Sequence, residues 1–397
     1  MLRIIWREYE AAFSGLPATA WWLSGVLLVN RAGTMVLPFL TLYITQDLEL
    51  SKTTAGLLLG AYGVGSAAGA LLGGRLSDRF GPRPVMLVSL ALSAVGFWVL
   101  SELKTAPSLA WGLFALGVVA EAFRPANGSA IATTCPPEKH GRAFALQRLA
   151  LNAGMTIGPA CGGFLAKISY DWLFIVNGAA AVASLLFLSI CVPNLAPSRQ
   201  RESAEAGAPA GRSPWADGTF LFVMLAVFLS CYPFFQLVLT SPVYYKEFYL
   251  LDEVDIGLLF AVNTAIIVLF EMVLIHRVRA FSKLRVAAIG CLFFAVGTAM
   301  IPLATGFVYA VCTIAVWTIG EMLISPLVMA WVVERAPEGA TGRYLGVFSM
   351  AFSVGQVVVP YAGLALYQNV HADAVWYVGA AICVVITPVF WWAARQR

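Results

Sequence analysis

Five ionisable side chains stand inside long apolar stretches of this sequence: Arg31, Glu121, Arg124, Glu271 and Glu321. Facing hydrocarbon, a charged Arg, Lys or Asp costs about 2.5–3.5 kcal/mol on insertion scales, so each of the five must face a cavity or a partner. Glu121 and Arg124 are three residues apart and share one helix face. A carboxylate beside a guanidinium can hold two helices together, or it can take a proton and release the cation to another partner. Glu321, in Ile319-Gly320-Glu321-Met322, is a lone carboxyl in apolar surroundings and hence a candidate for reversible protonation. Glu271, in Leu269-Phe270-Glu271-Met272, could attract a cation or pair structurally with the nearby His276 and Arg277. Arg31 follows Asn30 and has no acid in its own stretch, so Glu121 or the carboxylate of a bound solute is its expected neighbour.

The elements that hold these residues follow from composition. The 397 residues are 60% hydrophobic and 12% charged, with mean hydropathy +0.81. Soluble domains are nearer half apolar and a quarter charged, so this is an integral membrane protein. Apolar runs between turn signals predict twelve spanning helices, near 18–45, 53–76, 84–102, 108–134, 143–166, 172–193, 218–242, 255–276, 285–304, 308–333, 343–367 and 373–394. A polar stretch rich in Ala, Gly, Pro and Ser over 194–217 reads as a linker between two six-helix halves, 18–193 and 218–397. Residues 1–17 mix Ile4, Ile5, Trp6 and Tyr9 with Arg3, Arg7, Glu8 and Glu10, a pattern that predicts an interfacial helix rather than a cleaved signal. Charge placement orients the chain. Of the 25 Lys and Arg, four (Lys52, Lys104, Lys167, Lys246) fall in one set of loops and two (Arg31, Arg124) inside spans, which assigns the other 19 to the opposite set. Under the positive-inside rule that set, with both termini, is cytoplasmic.

One basic turn, Gly74-Arg75-Leu76-Ser77-Asp78-Arg79-Phe80-Gly81-Pro82-Arg83, joins the second and third spans. Its spacing, Gly-x-x-x-Asp-Arg-x-Gly-x-Arg, resembles the signature loop of the major facilitator superfamily of transporters. The resemblance implies an all-α fold of twelve transmembrane helices in two halves, and a gating role for Gly74, Asp78, Arg79, Gly81 and Arg83, which would latch the halves together on the cytoplasmic side in the outward-open state. Glu121-Ala-Phe-Arg124-Pro125-Ala126-Asn127 resembles the arginine-bearing fourth-helix motif of drug–proton antiporters in that superfamily. Gly154-Met-Thr-Ile-Gly158-Pro159-Ala-Cys-Gly162-Gly163 is similar to the antiporter-associated signature of the fifth helix, with Ala145 replacing a glycine of its longer form. The Arg31 segment is similar to the first helix of proton-coupled oligopeptide transporters, without their preceding glutamate, and the Gly320-Glu321 pattern is shared by both groups. Gly65, Gly69 and Gly73 recur every four residues and predict close packing of the second helix on a neighbour.

Enzymatic chemistry is not supported. His140, His276 and His371 are far apart, no HExxH, GxSxG or phosphate loop is present, and catalytic residues are not expected. The seven cysteines form no CxxC pair and read as small buried hydrophobes rather than metal ligands. No basic tract with interleaved aromatics points to nucleic acid. The reading is a secondary active transporter of the bacterial inner membrane, exporting amphipathic small molecules in exchange for protons. The alternative is proton-driven import of a carboxylate-bearing solute such as a short peptide or siderophore-like metabolite. Glu121, Glu321 and Glu271 are the candidate proton-coupling residues, and Arg31, Arg124, Asn152 and Glu321 the candidate substrate contacts. The expected partners are a small-molecule substrate, protons and the bilayer, with no cofactor beyond the proton gradient, acting as a monomer.

Overall fold

A computed structural model describes residues 13–193, 195, 213–337 and 340–396. The interfacial helix expected over 1–17 and the linker over 194–217 fall largely outside those residues. Among the described residues, twelve helices are long and apolar enough to span a membrane: α1 (Ala18–Asp47), α2 (Lys52–Phe80), α3 (Pro82–Glu102), α4 (Ala106–Thr134), α5 (His140–Ile168), α6 (Asp171–Cys191), α7 (Gly218–Leu239), α8 (Glu253–Val278), α9 (Lys283–Leu303), α10 (Phe307–Arg335), α11 (Gly342–Asn369) and α12 (Ala374–Ala393). Six precede residue 193 and six follow residue 217, and the described residues form no strand. The chain is an all-α membrane protein of two six-helix halves.

Local signals end the helices where the sequence places them. Ser51 caps α2 by accepting from the Thr54 amide, and Asp217 and Asp252 cap α7 and α8 in the same way. Gly81 takes φ +87° between α2 and α3, a conformation glycine adopts without strain, and Pro82 opens α3. Two spans are interrupted beside charged residues. In α1 the helix stops at Ala32 and restarts at Val36, and Asn177 Oδ1 on α6 accepts from the loose amides of Met35 (3.1 Å) and Val36 (3.3 Å). In α4 the break falls at Ala122, where Pro125 has no N–H to offer the Glu121 carbonyl. One further helix, Ser241–Phe248, follows α7 at a bend, where the sequence suggested a single span to 242.

Within the first half, a methyl group on Gly65, Gly69 or Gly73 would collide with the backbone of Phe114, Val118 or Ala122, so α2 and α4 pack backbone to backbone. The same closeness joins the halves, but only at one end. Gly56, Gly60 and Gly63 of α2 lie on the α11 backbone near Tyr361, Val357 and Gln356. Gly163 of α5 lies on the Glu253 backbone at the start of α8, and Gly257 on the Pro159 carbonyl. All of these contacts sit at the face far from the Gly74–Arg83 turn, called here the distal face; the face carrying the turn is the basic face. At the basic face, the space beside Gly74 of α2 and beside Gly342 and Gly346 of α11 is open. The halves therefore meet at the distal face and part at the basic face.

Side chains reinforce the distal contact. Lys52 pairs with Glu247 (2.8 Å) and Lys167 with Asp252 (2.6 Å), each bridging the two halves. Tyr170 Oη donates to Glu253 Oε1 (3.1 Å), and the Thr53 amide donates to Gln368 Oε1 (2.9 Å), also across the divide. Lys104–Asp171 and Lys246–Glu253 pair within their own halves, so all four lysines assigned to this face from sequence are paired. The Lys167 ammonium, hydrogen-bonded to Asp252, holds that carboxyl below the usual aspartate range. Of the seven cysteines, four are buried, while Cys161 and Cys312 are exposed rather than buried as the sequence suggested.

Candidate functional site

Between the halves, on the basic side of the distal contact, lies a cavity with ≈ 660 Å³ open to water-sized spheres. The fold builds it from α4 and α5 on one side and α8 and α10 on the other. Leu27, Phe144, Leu151, Ile267, Met272 and Met329 supply apolar walls, and Arg124, Asn127, Gln147, Arg148, Asn152 and Glu271 supply the polar groups. Polar groups set sparsely in an apolar wall suit an amphipathic ligand.

One ion pair spans this cavity. Arg148 Nη2 of α5 donates to Glu271 Oε1 of α8, joining the two halves within the membrane. The Glu271 side chain is 10% exposed and that of Arg148 43%, so the carboxylate is held in the wall while the guanidinium stays wet. The sequence reading offered His276 and Arg277 as structural partners for Glu271; the structure corrects this to Arg148. Charge placement along the sequence assigns Arg148 to the cytoplasmic basic residues, yet it lies eight residues past the start of α5. A signal was present. Arg148 and Asn152 are four apart and share a face, and both line the cavity.

The other candidates divide into two groups. Glu121 and Arg124 do pair, at 3.7 Å, across the interruption of α4; the Arg124 side chain is 65% exposed into the cavity, while that of Glu121 is 16% exposed. Among the described residues, Arg31 forms no ion pair with Glu121 or any other acid, and its buried Nε meets no hydrogen-bond acceptor. Arg31, Glu121 and Arg124 all lie within electrostatic reach of Tyr62 on α2, which places them in one neighbourhood inside the first half. Glu321 lies apart from the central cavity. It lines a smaller pocket in the second half among Phe234, Phe294, Phe348 and Phe352, and its Oε2 accepts from Asn263 Nδ2 of α8 at 3.2 Å. Asn263, absent from the candidates drawn from sequence, also donates to Thr318 Oγ1 at 2.8 Å.

The glycine motif of α5 is a crossing point. Gly154 and Gly158 lie on the α1 backbone at Leu28 and Ala32, Gly162 lies on Met35, and Gly163 and Pro159 meet α8. It thus seats Arg31 against α5 and brings the halves together at the distal face. In the basic turn, Arg83 Nη2 donates to the Ser189 carbonyl of α6 (3.0 Å) and the Arg79 guanidinium lies over the Phe80 ring. Asp78 is exposed and pairs with no described cation. These residues touch their own half, in keeping with halves that are parted at this face. Among the described residues, no group of three or more His, Cys, Asp or Glu is placed to hold a metal ion.

The sequence matches the family model of the Major Facilitator Superfamily over residues 23–360. It is 29% identical over 371 residues to a Na(+), Li(+), K(+)/H(+) antiporter of Planococcus maritimus, covering 85% of this chain and 87% of the relative. To the multidrug resistance protein MdtH of Aeromonas salmonicida it is 23% identical over 351 residues, 87% of each chain. The crystal structure of a POT family transporter in complex with 5-aminolevulinic acid has the same fold, with TM-score 0.80, 16% identity and 97% of each chain covered. With its twelve spans, its two halves and a family match over most of its length, the chain belongs to the Major Facilitator Superfamily and is a transporter, not an enzyme.

Proposed function

We propose that the protein exports amphipathic small molecules across the bacterial inner membrane in exchange for protons, by alternating access of the central cavity. The observation that carries this reading is the Arg148–Glu271 pair, which links the halves inside an otherwise largely apolar cavity. A cationic amphipathic substrate competes with Arg148 for Glu271, and a proton on Glu271 frees Arg148 with the opposite consequence for substrate. Binding energy and protonation then act on the same contact between halves. Glu321, in its aromatic pocket, serves as the second proton site, and Glu121 with Arg124 links the break in α4 to the cavity. By the positive-inside rule the basic face is cytoplasmic, so the cavity opens towards the compartment from which an exporter loads. Two relatives named as an antiporter and a multidrug resistance protein support export. The driving force is the proton gradient alone, and one chain holds the whole pathway.

A second reading is import of a carboxylate-bearing solute. It is favoured by two guanidinium groups that point to an anion: Arg124, largely exposed in the cavity, and Arg31, with no carboxylate partner among the described residues. Proteoliposomes carrying a proton gradient of either polarity separate the two. Ethidium, a dipeptide and sodium ion are followed in parallel, the last because one relative is named for alkali cations. Ethidium moving against the proton flow supports export. Dipeptide uptake down the proton gradient, with no ethidium counterflow, overturns it. Glu321→Gln should abolish proton-driven movement and leave substrate exchange; full coupling in that variant removes Glu321 from the mechanism.

A further inference from the structure

Another cavity, of ≈ 40 Å³, is lined by the second half alone, between α7, α8 and α10. A water needs about 10–15 Å³ by this measure, so the space holds on the order of three. Its walls include Ser241, Tyr245, Asn263 and Trp317. Trp317 is 4% exposed and its Nε1 finds no acceptor among the described residues. Tyr245 is 2% exposed; Thr313 is its polar neighbour, but its hydroxyl makes no hydrogen bond of proper geometry. Leaving two buried donors without acceptors is unfavourable, and water in the adjoining space relieves it.

The position of the cavity gives such water a use. Along α8 its walls run from Ile256, one turn below the distal face, to Asn263, seven residues or about 10 Å deeper. Asn263 is the residue that donates to Glu321. On the other side, Phe234 stacks on Trp317 and lines the Glu321 pocket, so Trp317, Phe234 and Asn263 form the partition between the two spaces. Among the described residues, no charged side chain borders the cavity. The charges nearest its ends are Lys246–Glu253 beside Tyr245 and Ile256, and Glu271 with Arg148, which lie within electrostatic reach of Glu321.

We propose that this cavity is a hydrated passage through which Glu321 exchanges protons with the distal face, separate from the route the substrate takes. Water held by Trp317 Nε1, Tyr245 Oη and Asn263 carries the proton, and Asn263 is the positioning residue that aligns the Glu321 carboxyl with it. The inference rests on the reading of Glu321 as a proton site.

Two measurements test it without any transported substrate. X-ray hydroxyl-radical footprinting of the full chain in detergent should oxidise Trp317 and Tyr245 several-fold faster, after correction for intrinsic reactivity, than the equally buried Tyr344. Rates equal to that of Tyr344 would mean a dry cavity and overturn the proposal. Infrared difference spectra of proteoliposomes after a pH jump on the distal side should show a carboxyl band that Glu321→Gln removes. In the pair Trp317→Phe with Tyr245→Phe, which removes both donors and keeps an aromatic ring at each position, that band should rise at least tenfold more slowly. An unchanged rate in the pair overturns the passage. A spectrum unaltered by Glu321→Gln overturns instead the assignment of Glu321 as a proton site. If the double variant does not fold, footprinting of the unaltered protein still decides between a wet and a dry cavity.

Discussion

Arg148 and Glu271 bring two charges of opposite sign from different halves into one contact, and the rest of the cavity wall is mostly apolar. Removing either charge leaves the other without its partner in a wall that solvates it poorly, so Arg148→Glu and Glu271→Arg are each expected to abolish transport. The two together restore opposite charges, and transport in the double variant should recover to within about tenfold of the parent, since each kcal/mol of misfit costs about fivefold in rate. A cluster with a structural role lies near the basic face. Asp217 caps α7 and receives two hydrogen bonds from Arg335 (2.9 and 3.0 Å) and one from Tyr344 (3.4 Å). Asp217→Ala leaves Arg335 unpaired where its side chain is 22% exposed. The loss should be about 3 kcal/mol, read as a lower Tm in detergent, with the distal contacts unaffected. Glu271 was legible from sequence because a carboxylate in an apolar run stands out. Its partner was not, because Arg148 lies close enough to the end of α5 to be tallied with the loops.

At the level of helices, hydropathy located all twelve spans, and the four-residue glycine repeat correctly anticipated that α2 packs closely on a neighbour. The interruptions were not legible. The break in α1 depends on Asn177, 142 residues away in sequence, whose side chain replaces the helical acceptors that the Met35 and Val36 amides lack. Nothing local to Gly33–Met35 announces that support. Asn177→Leu, similar in size but unable to accept, leaves two buried amides unsatisfied. It should cost about 1–3 kcal/mol for each, measured as a fall in Tm relative to Asn177→Asp, which keeps an acceptor. The break matters because it sets the backbone just past Arg31, and Gly154 and Gly158 of α5 fit against that same stretch. A glycine pattern that reads from sequence as an antiporter signature is, in the structure, the seat for α1 and for α8.

For the molecule as a whole, the closed distal face and the parted basic face define one end of an alternating cycle, with α2–α11 and α5–α8 as the closed seams. Ion pairing at those seams is not legible in the sequence, because Lys52 and Lys167 are matched to acids 195 and 85 residues away. Asp252 gives the closure a pH dependence. Its carboxyl, held below the ordinary range by Lys167, stabilises closure fully above the usual aspartate pKa. That contribution is lost as the pH falls through the lowered value. Spin labels at Ser169 and Val370 should therefore report a longer inter-half distance only in strongly acidic medium, and Lys167→Gln should remove that acid-sensitive component. The matched lysines also have an electrical consequence. Lys52 and Lys167 each face an acid of the other half at the same level, so unfastening the distal seams separates charges within one aqueous layer and moves none across the membrane field, while the Lys104 and Lys246 pairs stay within their own halves. The charges placed to experience the field, at about 2.3 kcal/mol per elementary charge per 100 mV for a full crossing, are those inside the spans: Arg31, Glu121, Arg124, Arg148, Glu271 and Glu321. On the proposed mechanism the voltage sensitivity of the cycle thus belongs to the buried proton and substrate steps, and the fastening at the distal face works at any membrane potential.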